Sequence, residues 1–290
     1  MSIETAGLRR GYADLAEVRL HYVEAGDGPL VILLHGFPEF WFSWRLVIPA
    51  LAGAGFRVVA PDLRGYNLSS RPTAVAAYDI DRLAADVRGL VHERGAERCF
   101  LVGHDWGAAV AWVTAANHPE VVSRLAILNL PHPRRMLQGI RRPRQLLRSW
   151  YMFFFQLPWV PERLARARRW FALRHSFQHD ARPGAFTAQD IDRYIEAWSQ
   201  PGAVTAMLNY YRAVFRQTPQ RAQARIRTVH APTLVIWGER DRHLGAELAE
   251  PDRADVPNLE RVVRLDASHW VHHDQPERVT QLLVDFLGAG

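Results

Sequence analysis

The chain has no lysine: its 36 basic residues are all arginine, set against 30 acids and 13 histidines. It has one cysteine, Cys99, so no internal disulfide can form, which fits a reducing, cytoplasmic setting. No run stays apolar long enough to cross a bilayer, and Met1–Gly11 lacks the apolar core of a signal peptide. No internal repeat or low-complexity segment appears. These absences exclude a disulfide framework, a membrane span and a repeat array. What is left is a soluble globular chain of 290 residues, enough for one large domain or one domain with a substantial insertion.

The charge is unevenly placed. Residues 131–221 hold 16 arginines and 5 acids, a surplus of 11; with +6 overall, the rest of the chain carries −5. No nucleic-acid motif accompanies the arginines, so a solvated basic face is the favoured reading over nucleic-acid binding. A weak membrane-surface contact, without stable insertion, stays open because Trp150, Tyr151 and Phe153–Phe155 lie beside them.

Hydrophobic periodicity orders the elements. Residues 8–24 read as two short strands, with Val18–Val23 alternating as an antiparallel edge hairpin would. Leu30–Leu34 is continuously apolar, the mark of a strand covered on both faces. A helix is expected over 41–53, strands at 56–60, 99–102, 125–130, 232–237 and 260–265, and helices at 80–95, 106–117 and 276–287. Asp62 and Arg64 are expected to pair and organise their loop. The strand–helix alternation implies a mostly parallel, doubly wound sheet, in which ligands sit at the carboxyl ends of the strands. From Pro131 the rhythm turns helical and aromatic until about Ala222. This predicts a helical cap, residues 131–222, inserted into a core of residues 1–130 and 223–290.

The central stretch is Gly103-His104-Asp105-Trp106-Gly107. It sits between an apolar strand and a small-residue helix, as a nucleophile elbow does, with glycines where strand and helix come close. The middle residue is aspartate where serine is usual. A carboxylate there suits displacement at saturated carbon, giving an ester that water must then cleave. After the Leu30–Leu34 strand, His35-Gly36-Phe37-Pro38 can aim a backbone N–H above the sheet, so the N–H groups of Phe37 and Trp106 are the oxyanion-hole candidates. The isomer of the Phe37–Pro38 bond is not legible from sequence. Asp241 and His269 each follow a late strand, in the order nucleophile, acid, histidine. His269 would take a proton from water, and Asp241 would orient it. Cys99 reads as a buried hydrophobe. His272 and His273 are expected to be exposed, and no ligand set spaced for a metal accompanies them.

These motifs resemble those of the soluble epoxide hydrolases of the α/β-hydrolase fold. The resemblance spans nearly the whole chain through His35–Glu39 with Trp44-Arg45, Asp62–Ser69, Gly103–Gly107 and Ser268-His269-Trp270. It implies two cap tyrosines that hold the epoxide oxygen. Tyr151 matches the first and Tyr211 the second, with neighbouring Tyr210 a rival for the latter role. Phe154 stands where a further tyrosine is common, and Ser70-Arg71 replaces an acidic–basic pair; neither touches the candidate catalysts. The implied reaction joins an epoxide and water to give a vicinal diol, with no cofactor or metal, in a monomer or homodimer. A haloalkane or haloacid dehalogenase with the same aspartate, and a non-catalytic binding protein on this scaffold, are the alternatives.

Overall fold

The computed structural model describes residues 7–288. Eight strands form one sheet: β1 (Arg9–Asp14), β2 (Arg19–Ala25), β3 (Leu30–Leu34), β4 (Arg57–Pro61), β5 (Cys99–His104), β6 (Val122–Leu128), β7 (Thr233–Gly238) and β8 (Leu259–Leu265), in the spatial order β1-β2-β4-β3-β5-β6-β7-β8. β1–β2 and β2–β4 pair antiparallel, and all other neighbours are parallel. This is the mostly parallel sheet expected from the strand–helix alternation, in the α/β-hydrolase arrangement that the resemblance implies. From β3 the chain steps out to β4, then returns to β5 on the other side of β3. That reversal opens a crevice at the carboxyl ends of β3 and β5, where ligands of open α/β sheets bind.

The helices outside the insertion are α1 (Ile48–Gly53), α2 (Ile80–Glu93), α3 (Trp106–Asn117), α11 (Val271–Asp274) and α12 (Pro276–Leu287). Between β6 and β7 lie α4 (Pro133–Gly139), α5 (Pro143–Arg148), α6 (Trp150–Phe154), α7 (Val160–Asp180), α8 (Ala188–Trp198), α9 (Ala203–Phe215) and α10 (Pro219–Ala224). Thr187 and Asp190 close a reciprocal capping box on α8.

β1 and β2 form the expected antiparallel edge hairpin, with β1 outermost; β2 is paired on both sides and buried from Leu20 to Ala25, and His21 inside it bonds Asp62 (2.7 Å). Three expectations need correction. The helix over 41–53 breaks into a 3-10 turn, Trp41–Trp44, and α1, because Pro49 near the start of α1 has no N–H to bond the preceding turn. β6 ends at Leu128, where Asn129 turns to a positive φ of 44°. Asp62 and Arg64 do not pair with each other. Asp62 accepts from His21, Trp41 N and Asn67, while Arg64 makes a two-pronged bond to Asp86 (2.8 and 2.7 Å).

Candidate functional site

Asp105 sits between β5 and α3 with φ 48° and ψ −121°, a strained backbone outside the ordinary L-residue regions. The glycines around it explain how strand, turn and helix fit. A Cβ on Gly36 would collide with the Asp105 side chain, and one on Gly107 would enter the Leu34 carbonyl. Gly107→Ala is therefore expected to destabilise by about 3 kcal/mol, since backbone atoms cannot step aside as a side chain can; the midpoint of urea unfolding reads this out.

Asp105 Oδ1 accepts the Phe37 N–H at 2.8 Å, and Oδ2 lies 3.5 Å from His269 Nε2. His269 Nδ1 bonds Asp241 Oδ2 at 2.7 Å. Asp241 is saturated with donors: Asn129 Nδ2 at 2.8 Å on Oδ2, and the N–H groups of His243 (2.7 Å) and Leu244 (2.9 Å) on Oδ1. Asn129 also accepts the Gly238 N–H, so it ties the ends of β6 and β7 together behind the acid. Hydrophobic patterning places Asn129 inside the 125–130 strand, where it is the one polar residue in an apolar run.

The electrostatics follow from this line of charges. Burial opposes a charged His269, but the Asp241 carboxylate and the bond to Asp105 outweigh it and hold its pKa well above 6.5. Burial likewise raises Asp105, yet the His269 hydrogen bond and charge bring it below the usual carboxylate range. Asp241 is lowered as well: burial is outweighed by the charge of His269. A histidine whose folded pKa exceeds its unfolded one stabilises the fold fully below about pH 6.5, and that contribution fades as pH rises through the folded value. The stability difference between the wild type and His269→Gln should therefore shrink as pH is raised from 6 towards 10, measured by urea unfolding at each pH. A difference that grows with pH would contradict the charged pair.

The loop after β3 is pinned from several sides. His35 Nε2 accepts the Leu63 N–H (3.0 Å) and Nδ1 donates to the Gly36 carbonyl (3.0 Å), which defines the tautomer; burial lowers its pKa. The Phe37–Pro38 bond is cis, and the Pro38 carbonyl accepts Trp198 Nε1 from α8 (2.6 Å). Trp106 opens α3, so its N–H belongs to the first turn, whose donors have no partner within the helix.

Tyr151 on α6 and Tyr211 on α9 both face the crevice, with ring centroids 5.9 Å apart. Burial first, and then the Asp105 carboxylate, raise both phenols far above their usual pKa, so both stay protonated. Tyr210 points elsewhere: it is buried and donates to the Arg64 carbonyl (2.7 Å), which removes it as a rival. Two mostly apolar cavities, of about 260 and 220 Å³, meet at Asp105, Tyr151 and Tyr211. His243, not singled out from sequence, lines the larger one, 5.3 Å from the His269 ring and 5.7 Å from that of Tyr151.

Behind the site, His272 and His273 are buried, against the expectation that they face solvent. They pack with His104 around Glu39, which bonds His104 Nδ1 (2.9 Å) and His273 Nε2 (2.8 Å). Burial raises the Glu39 pKa, but those two bonds carry it well below the ordinary value. His104 Nε2 reaches the His269 carbonyl (2.9 Å), so the network buttresses the strand end that carries His269. Among the described residues, Glu39, His272 and His273 come close enough together to hold a metal ion. Arg45 Nη1, 3.3 Å from His273 Nδ1, puts a fixed positive charge beside them, and we read the cluster as core packing in which Glu39 bonds His273 while the His272 ring nitrogens have no hydrogen-bond partner among the described residues. Cys99 is buried with its thiol pKa pushed up to about 12 by desolvation, the state of an inert thiol.

Comparison with known proteins agrees with this geometry. Residues 29–276 match the alpha/beta hydrolase fold family. The AB hydrolase superfamily protein YfhM of Bacillus subtilis is 42% identical over 97% of this chain and 98% of its own length. Epoxide hydrolase 4 of Homo sapiens is 40% identical over 93% of this chain and 76% of its own. The crystal structure of Bacillus megaterium epoxide hydrolase in complex with an inhibitor superposes with a TM-score of 0.86 at 34% identity, covering 96% of this chain and all of that one. The chain is a hydrolase of the α/β-hydrolase-fold family and belongs, within that family, to the epoxide hydrolases.

Proposed function

We propose that this enzyme converts an epoxide to a vicinal diol in two steps, through an ester on Asp105. Asp105 Oδ2 attacks a ring carbon, the ring C–O bond breaks, and Tyr151 and Tyr211 donate to the oxygen as it gains charge. One phenolic proton completes the alcohol and leaves that tyrosine as phenolate. Alkylation then neutralises Asp105 and removes one of the two carboxylates that hold the proton on His269. The imidazole pKa falls, the proton it releases restores the phenol through solvent, and the neutral ring becomes a base for water. Water attacks the ester carbonyl carbon; Oδ1, already bonded to the Phe37 N–H, takes the negative charge, with the Trp106 N–H as second donor. The ester C–O bond breaks, His269 returns a proton to the departing diol oxygen, and the acid proton left on Asp105 passes to His269, which restores the carboxylate and the charged imidazole. Asp241 keeps His269 in its tautomer throughout.

The observation that carries this reading is the pair of phenols opposite a carboxylate in one apolar crevice. Such a site matches a leaving oxygen that remains tethered to the substrate and must be protonated. The helical insertion, residues 131–222, acts as the cap domain that supplies both phenols to the core formed by 1–130 and 223–290. The test is turnover of aryl and alkyl epoxides beside haloalkanes and fluoroacetate, with Asp105→Ala as blank. Diol formed from epoxides and absent in the blank supports the reading; halide release without diol assigns the site to dehalogenation.

A further inference from the structure

Of the fourteen exposed large apolar side chains among the described residues, twelve fall between Leu137 and Phe215, in the helical insertion. Surface apolar residues are ordinary when scattered, and informative when gathered. Here they are gathered. Phe153 of α6 packs on Phe215 of α9 (5.1 Å between centroids) and Trp150 on Phe154 (5.9 Å). Leu147 and Trp159, flanking α6, are each 74% exposed.

The same insertion is strongly basic. Between Arg141 and Arg169 seven arginines are exposed and form no ion pair with a described carboxylate. The one acid of that stretch, Glu162, is taken by Arg212 (2.7 Å). Arg163, Arg166 and Arg216 share an open groove with Trp159. Arg168, Arg169 and Trp170 hold left-handed backbone (φ 48°, 55° and 64°), which interrupts α7 and leaves both arginines exposed. Three such residues in succession are costly, so the turn is not a default of the sequence.

From this juxtaposition we infer that the insertion is a peripheral docking surface for an anionic lipid bilayer. Charge complementarity selects that partner. Guanidinium groups bind lipid phosphates two-pronged, while exposed indole, phenyl and leucine side chains enter the headgroup boundary. A nucleic-acid surface would be polar between its basic groups, and this one is apolar there. No helix among the described residues is long and apolar enough to cross a membrane, so the contact is peripheral. The surface also borders both cavities: Trp150 and Leu164 line one, Leu137 and Val214 the other. Apolar molecules dissolved in a bilayer would thus meet the openings directly. This inference is independent of which reaction the site performs.

The test is co-sedimentation with vesicles of phosphatidylglycerol and phosphatidylcholine, mixed or phosphatidylcholine alone. The intact protein should sediment with the mixed vesicles, remain free with the neutral ones, and be released by salt at about 0.5 M, where the screening length falls to a few ångströms. Arg163→Glu/Arg166→Glu and, separately, Leu147→Asp/Trp159→Asp should each weaken binding roughly tenfold or more, with circular dichroism and the unfolding midpoint confirming that they fold. Absence of sedimentation with the anionic vesicles overturns the inference, as does equal binding to both vesicle types. Binding to a short RNA without vesicle binding assigns the patch to a polyanion instead. A dimer by ultracentrifugation, broken by Leu147→Asp/Trp159→Asp and unaffected by vesicles, assigns it to self-association.

Discussion

Asp105→Ala should lower kcat/KM by roughly 10⁴-fold or more, the loss expected when a covalent nucleophile is removed from a set that acts as a unit. His269→Gln should fail differently. It leaves Asp105 and the two phenols in place, so the first step still runs, but the base for water is gone. One equivalent of substrate is then consumed rapidly and the protein gains its mass, seen in the intact-protein mass spectrum. The distinction rests on geometry. His269 Nε2 lies 3.5 Å from Asp105 Oδ2, near enough to take a proton from a water that attacks the Asp105 ester carbon, while the Phe37 N–H on Oδ1 orients the carboxylate without the histidine. A single turnover in heavy-oxygen water should place label in Asp105 and none in the diol, since the diol takes the old Oδ2. All label in the diol, with no mass gain in His269→Gln, would mean that water attacks the ring directly.

Tyr151→Phe and Tyr211→Phe should each reduce kcat by roughly 10²–10³-fold, the scale for removing one donor aimed at a developing oxyanion. The double variant should lose nearly all epoxide turnover. Both changes remove a single oxygen and keep the ring contacts: Tyr211 with Phe37 (5.4 Å) and Trp106 (5.0 Å), Tyr151 with Phe155 (5.7 Å). Stability should hardly move, and an unchanged unfolding midpoint is part of the expected result. Their strongly raised pKa keeps these groups donors across the working range, so the loss should be the same at every accessible pH. Halide departs without a proton. If the single variants keep full activity and the substrates prove to be haloalkanes, the tyrosines are packing residues.

What the sequence by itself determined is whatever depends on local chemistry. Continuous apolar runs marked β3, β5 and β7, because strands covered on both faces must be apolar at every position. Glycine on both sides of Asp105 marked the turn, because strand and helix there approach too closely for a Cβ. The order of Asp105, Asp241 and His269 followed from the strands they end. The tertiary structure decided everything that depends on which chain segments become neighbours. Tyr210 and Tyr211 are adjacent in sequence, and only the packing of α9 sends one into the core and the other to the crevice. Asn129 holds Asp241 across 112 positions of chain, and Glu39 holds His273 across 234, distances that no local pattern encodes. His272 and His273 look like surface residues in a polar stretch. They are buried because Glu39, Trp44 and His104, brought from elsewhere in the chain, surround them: Glu39 bonds His273, and His272 stacks on Trp44. Asp62 and Arg64 stand two residues apart, yet each found a better partner from another segment, since a folded chain offers a buried charge more geometries than its own loop does.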